Sequence, residues 1–249
     1  MPAIPVTCRL ILPFFLLALA IRILIALQDV AYLDRLFLPD DTYYTLAISK
    51  NIFFNALPST NGEVATSGFQ PLITLFQLPI FMVTDDLDAA VKGSIYLSAV
   101  IGALSTILLG LLMVSLSSPA VSRIAMLLFA VSPAILINDL NGLETSLAGC
   151  LALLLCLMFT YLVNQPSRLK GMLLGVCCSL ALLSRIDSAF LVLFVGFGLL
   201  LSVGFRWTVW IVVSSVIFIL PWWVYLFNEF GSIAPESGKA VKLITESTP

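Results

Sequence analysis

Long apolar runs alternate with short polar ones along most of this chain. The runs cover residues 10–28, 92–116, 121–137, 145–163, 172–184, 189–205 and 207–227. An α-helix of about 20 apolar residues crosses the roughly 30 Å hydrocarbon core of a bilayer. Strands of membrane barrels alternate apolar and polar positions, whereas these runs are continuous. Lipid offers no water to backbone N–H and C=O groups, so continuous runs must satisfy them as helices. The pattern predicts an all-α, polytopic transmembrane helix bundle of about seven or eight membrane helices. It contains no internal repeat and no linker, so residues 1–249 read as one domain.

Residues 29–70 form the one long polar excursion. Within it, 42–54 place Tyr44, Ile48 and Ile52 at helical spacing with Lys50 and Asn51 between them. This predicts an amphipathic helix lying along the membrane surface. Residues 58–68 read as loop, with turn signals at Asn61-Gly62 and Ser67-Gly68. Residues 71–83 are apolar but short and contain Pro79, so they are expected to be re-entrant or interfacial and not to cross. Basic residues near cytoplasmic span ends orient membrane proteins. Arg9, Arg123, Arg168 with Lys170, and Arg206 recur at every second boundary. This predicts a cytoplasmic N-terminus, with residues 29–70, 138–144, 185–187 and the tail from 228 on the extracytoplasmic side.

Composition agrees with that picture. Hydrophobic residues make up 60% of the chain, charged residues 10%, and mean hydropathy is +1.10. A soluble domain carries about 25% charged residues. The net charge of −2 offers no basic tract for nucleic acid. The absence of histidine excludes a histidine general base, a Ser-His-Asp triad and a His-based metal motif. Cys8, Cys150, Cys156, Cys177 and Cys178 lie in or beside apolar runs, as small hydrophobes do, without disulfide or zinc spacing. The first apolar run lacks a small-x-small cleavage site, so it is expected to be a retained span and not a signal peptide.

Four polar clusters could carry chemistry. Asp40-Asp41 follows the first span; a charge left in lipid costs at least about 2.5 kcal/mol. The pair suits a general base or a divalent-cation ligand, and more plainly a solvated surface pair or an N-cap for the helix from Thr42. Glu144 opens a span, where the helix dipole favours an anion. Arg185 and Asp187 bracket a span end; they suit either a phosphate-binding fork or a self-paired salt bridge. The stretch 228–239 contains Ser237 and Lys239, fit for an anionic headgroup or simply an exit loop beside interfacial Trp222, Trp223 and Tyr225.

The order of these clusters resembles the glycosyltransferase C superfamily, in particular bacterial members of the arabinofuranosyl- and mannosyltransferase type. The similar stretches are Asp40-Asp41-Thr42-Tyr43-Tyr44 with Ala47 and Lys50-Asn51; Thr66-Ser67-Gly68-Phe69-Gln70-Pro71-Leu72; Asn141-Gly142-Leu143-Glu144-Thr145; Leu183-Ser184-Arg185-Ile186-Asp187; and Phe230-Gly231-Ser232 with Pro235-Glu236-Ser237-Gly238-Lys239-Ala240. The resemblance implies a membrane enzyme in the bacterial inner (plasma) membrane that moves a sugar from a polyprenyl-phosphate donor to a hydroxyl of a glycan, lipid or protein acceptor. The reaction is expected to invert the sugar carbon on the extracytoplasmic side. Asp40 or Asp41 takes the place of the catalytic carboxylate, with Asp40 slightly favoured. Arg185 and Lys239 take that of the phosphate-binding cations, and Tyr44, Asn51, Gln70, Glu144, Asp187 and Ser237 fall in the substrate-binding stretches. Some such enzymes use a divalent cation and others do not. Members usually continue further, so the resemblance implies a short member, a fragment or half of a split enzyme. A transporter or flippase of lipid-linked sugars, or a non-catalytic subunit, are the competing expectations. A transporter favours repeat symmetry and broken spans.

Overall fold

A computed structural model of the chain describes residues 4–233, with side chains from Arg9 onward. Eleven helices and one 3₁₀ turn account for most of the described chain. They are α1 (Ile4–Ala26), α2 (Val30–Leu36), α3 (Asp40–Asn55), α4 (Pro71–Gln77), the 3₁₀ turn Leu78–Met82, α5 (Leu87–Leu116), α6 (Pro119–Val131), α7 (Pro133–Asp139), α8 (Thr145–Asn164), α9 (Arg168–Ser184), α10 (Ser188–Val203) and α11 (Phe205–Phe230). No strand occurs among the described residues.

Four helices, α1, α5, α8 and α11, are long and apolar enough to cross a membrane. The bent pair α6–α7 would make a fifth. Two shorter apolar helical stretches are α10, with 16 residues, and Pro71–Met82; α9 has 17 residues and opens on Arg168 and Lys170. Their local punctuation is readable. Asp29, Asp86, Ser118 and Ser167 each accept a backbone N–H as N-caps of α2, α5, α6 and α9. Asp41 and Asp40 do not cap α3. Pro39 holds the cap position, because its fixed φ suits the helix entry, and both acids fall inside the first turn.

Residues 121–137, expected as one span, are broken. Ser132 adopts an extended conformation before Pro133, as the residue ahead of a proline tends to. The helices α6 and α7 therefore meet at a 61° bend.

Side-chain contacts give the course of the bundle. Gly110 of α5 faces Ile11 of α1 and Met126 of α6, while Gly102, two turns nearer the start of α5, faces Arg22 and Asp139. Lys92 donates to the carbonyls of Ala26 and Gln28. Thus α1 and α6–α7 run antiparallel to α5. Lys170 of α9 reaches the Tyr161 and Gln165 carbonyls of α8, and Arg185 reaches Glu144, so α8 and α9 are antiparallel. Gly171 lies against Trp210 and Trp207, and Ser179 donates to Ser215, so α11 runs parallel to α9 with α10 returning between them.

One end of the bundle therefore carries Arg9, Arg123, Arg168, Lys170 and Arg206. Glu236 and Glu246 lie outside the described residues; of the other acidic residues, none lies at that basic end. At the opposite, acidic end, α2, α3, α4 and the 3₁₀ turn form a cap over α5. The segment 71–83 begins and ends within this cap: Ser49 of α3 donates to the Thr74 carbonyl and Lys50 to the Asp85 carbonyl. Buried Leu33, Leu46, Phe81, Ile95 and Leu140 hold the cap on the bundle. A second core, around Leu147, Leu155, Leu174 and Leu199, joins α8 to α9 and α10.

Candidate functional site

The loop between α7 and α8 is the hub of the acidic end. Gly142 has φ +71°, a left-handed conformation that suits glycine. A methyl there would also meet the Thr42 Cγ2 at 2.6 Å. Its carbonyl accepts from Gln77 Nε2 and from Ser94 Oγ, both at 3.0 Å. Thr42 Oγ1 donates to the Asn141 carbonyl at 2.6 Å, one residue after Asp41. The Asn141 side chain bonds the Leu143 N–H and the Thr145 hydroxyl, which closes the loop on itself. These bonds fix the start of α3, and with it Asp40 and Asp41, against the loop that presents Glu144.

Glu144 is buried at the start of α8. Its carboxylate accepts from Arg185 Nη1 at 3.0 Å. The same guanidinium turns Nε and Nη2 to Asp187, each at 3.0 Å. Burial pushes the Glu144 carboxyl above its ordinary value; Arg185 draws it back, and the nearby charges of Asp187 and Asp41 push it up again. The hydrogen bond from Arg185 holds Asp187 below the usual carboxylate range. The guanidinium itself is held further up by Asp187 and Glu144. The site is thus an acid-rich cluster around one arginine whose fork is shared by two carboxylates.

Comparison with protein-family models and with curated proteins finds no match.

The sequence-predicted residues divide into three groups. Glu144, Arg185 and Asp187 form one bonded cluster; Asp41, exposed in the first turn of α3, is near enough to raise Glu144, and Asp40 is exposed beside it. Tyr44 is exposed on α3, while Asn51 serves the cap itself: its side chain donates to the Ser59 carbonyl and receives Asn55. Gln70 precedes Pro71 at the start of α4 without capping it through its side chain. Ser237 and Lys239 lie outside the described residues. Among the described residues, no three His, Cys, Asp or Glu side chains converge to hold a metal ion.

Sequence reasoning missed two features. Gln77 bridges Ser49, Ser94 and the Gly142 carbonyl in a fully buried position. A glutamine in the apolar run 71–83 was the available signal. Arg22, with no exposed surface, donates Nε and Nη2 to Asp139 Oδ2 at 3.0 and 2.5 Å, Nη1 to the Ala18 carbonyl, and lies 5.8 Å from the Phe129 ring. An arginine inside the first apolar run implies a partner, since intramembrane charges pair within the bundle; only the fold identifies that partner as Asp139.

Proposed function

We propose that the chain is a membrane glycosyltransferase acting on a polyprenyl-phosphate-linked sugar at its acidic end. One observation carries this reading: Thr42, the neighbour of Asp41, is bonded to the loop that presents Glu144, and Glu144 is bonded in turn to Arg185, although these residues are far apart in sequence. The seven helical passes α1, α5, α6–α7, α8, α9, α10 and α11 are taken as crossings, and α3 with α4 as the membrane-surface layer. The basic end then faces the cytoplasm by the positive-inside rule, and the acidic end opens on the extracytoplasmic side of a bacterial inner membrane.

In the reaction, an acceptor hydroxyl attacks the anomeric carbon as Asp40 or Asp41 takes its proton. The bond from that carbon to the phosphate oxygen breaks, and polyprenyl phosphate leaves with the electron pair. The carbon inverts. Arg185, with Lys239 of the tail, stabilises the phosphate charge; to do so, Arg185 exchanges part of its fork from Glu144 or Asp187 to the phosphate. Glu144 and Asp187 otherwise hold Arg185 in place and contact the sugar hydroxyls.

The test uses the full chain in vesicles with polyprenyl-phosphate-linked radiolabelled hexose or pentose, scoring release of polyprenyl phosphate. Loss of a general base lowers rates by about 10²–10⁴-fold, so one of Asp40→Asn and Asp41→Asn is expected to fall by at least about 100-fold. Unchanged turnover in both would refute the carboxylate role. Transbilayer movement of the labelled donor without cleavage would instead support a flippase, a reading favoured by the ion pair Arg22–Asp139 buried between three helices.

A further inference from the structure

The basic end carries a built arrangement of a different kind. The first turns of α9 and α11 lie side by side: a methyl at Gly171 would sit 3.4 Å from Trp210 Cβ and 3.7 Å from the Trp207 carbonyl. On this helix pair, the Arg168 guanidinium carbon stands 5.5 Å from the Trp210 ring, and that of Arg206 stands 5.5 Å from the Trp207 ring. Both arginines are exposed and both indoles half-buried. The two rings hold the two cations at the helix ends by cation–π attraction.

None of the ion pairs among the described residues involves either arginine; all three belong to Arg22 and Arg185. Lys170, next to them, is turned to the Tyr161 and Gln165 carbonyls at the end of α8. The two helices also differ in capping. Ser167 satisfies an N–H of α9, whereas α11 starts at Gly204, φ +82°, with no side chain to cap it. A positive dipole end, two unpaired guanidiniums and two interfacial indoles thus share one small surface at the end of apolar helices.

We propose that this surface binds the phosphate of an anionic phospholipid of the adjoining leaflet, held between Arg168 and Arg206 with its chains along α9 and α11. The occupant is a lipid because the indoles set the site at headgroup depth and the flanks below it are exposed apolar residues, among them Met172 and Val213. The inference rests on the membrane assignment and is independent of the glycosyltransferase reading.

Tryptophan fluorescence tests it. The full chain carrying Trp222→Phe and Trp223→Phe, so that Trp207 and Trp210 remain, is placed in phosphatidylcholine vesicles with increasing brominated phosphatidylglycerol or brominated phosphatidylcholine. The expected result is stronger quenching by the anionic lipid. A cation near the surface contributes about fivefold in binding, so Arg168→Gln and Arg206→Gln should each reduce the preference by about that factor, and the double variant should remove it. Arg123→Gln, at the same end but outside the pair, should leave it intact. Equal quenching by both lipids in the parent overturns the proposal, as does a preference unchanged in the double variant. Equal loss in Arg123→Gln would show a diffuse surface charge and no site. Displacement by millimolar glycerol phosphate would assign the surface to a soluble ligand instead. The parent comparison needs no arginine variant to fold.

Discussion

Arg22 and Asp139 show what a single buried charge demands. Arg22 is enclosed among α1, α5 and α6, and each charge is tolerable only beside the other. Removing one partner of such a pair typically costs about 3–5 kcal/mol, whereas replacing both by apolar residues is often neutral or stabilising. Arg22→Met is therefore expected to lose about 3–5 kcal/mol in denaturant titration of the detergent-solubilised protein, and Arg22→Met with Asp139→Leu to recover most of it. The neighbouring glycine sets the room for the pair. A methyl at Gly102 would stand 2.5 Å from Asp139 Oδ2 and 2.8 Å from Arg22 Nε, and one at Gly175 would run into Ser214 Oγ and the Ile211 carbonyl. Gly149 meets nothing within 4 Å. Gly102→Ala and Gly175→Ala should each destabilise by about 1–3 kcal/mol, while Gly149→Ala should gain up to about 1 kcal/mol of helix propensity. Thermal unfolding of the three variants side by side checks the contrast.

At the scale of elements, the acidic end joins two helix starts and one helix end through Arg185. The carboxylates it holds respond to pH in opposite senses. Asp187 has a lowered folded value, so its contribution is present above the ordinary carboxylate value and is lost as pH falls through the lowered one. Glu144 has a raised folded value, so its contribution is present below the ordinary value and is lost as pH rises through the raised one. A stability profile from about pH 3 to pH 8 should lose part of its acid limb in Asp187→Asn and part of its decline at higher pH in Glu144→Gln. Arg185→Met removes the cation that draws Glu144 down, and should move the Glu144 transition further up. Infrared absorption of the protonated carboxyl, compared with Glu144→Gln, reads that shift directly.

For the molecule as a whole, the described acidic residues are sorted away from one end, while cations occur at both: Arg35, Lys50, Lys92 and Arg185 accompany the acids. Ser94 bonds the Gly142 carbonyl, and Asp86 lies two turns earlier on α5, so Asp86 and Asp41 share the acidic end. Single cysteines at Asp41 and Asp86 should react with an impermeant maleimide from the same side of intact cells or sealed vesicles, and cysteines at Arg123 and Arg206 from the other. Labelling of Asp86→Cys from the side opposite to Asp41→Cys would break this arrangement. The same sorting separates the proposed transfer site from the proposed lipid-headgroup surface by the full thickness of the bundle.

The helical class, the helices long and apolar enough to cross a membrane and most helix positions were legible in the sequence, because apolar run length and cap residues act locally: the runs at 92–116 and 145–163 fall within α5 and α8. Asp40-Asp41, Glu144 and Arg185-Asp187 were recognisable as polar interruptions for the same reason, since charge in an apolar chain stands out. The break in 121–137 was written locally too, in Ser132-Pro133, but its purpose was not. Only the tertiary structure turns α7 inward to bring Asp139 to Arg22, 117 positions away. Only it makes Gln77 the link between α3, α5 and the Gly142 loop, and leaves Arg185 divided between Glu144 and Asp187. Spacing within one helix cannot specify which helix lies beside it; packing of small residues such as Gly102 and Gly175 decides that, and the partners of every buried polar group follow from it.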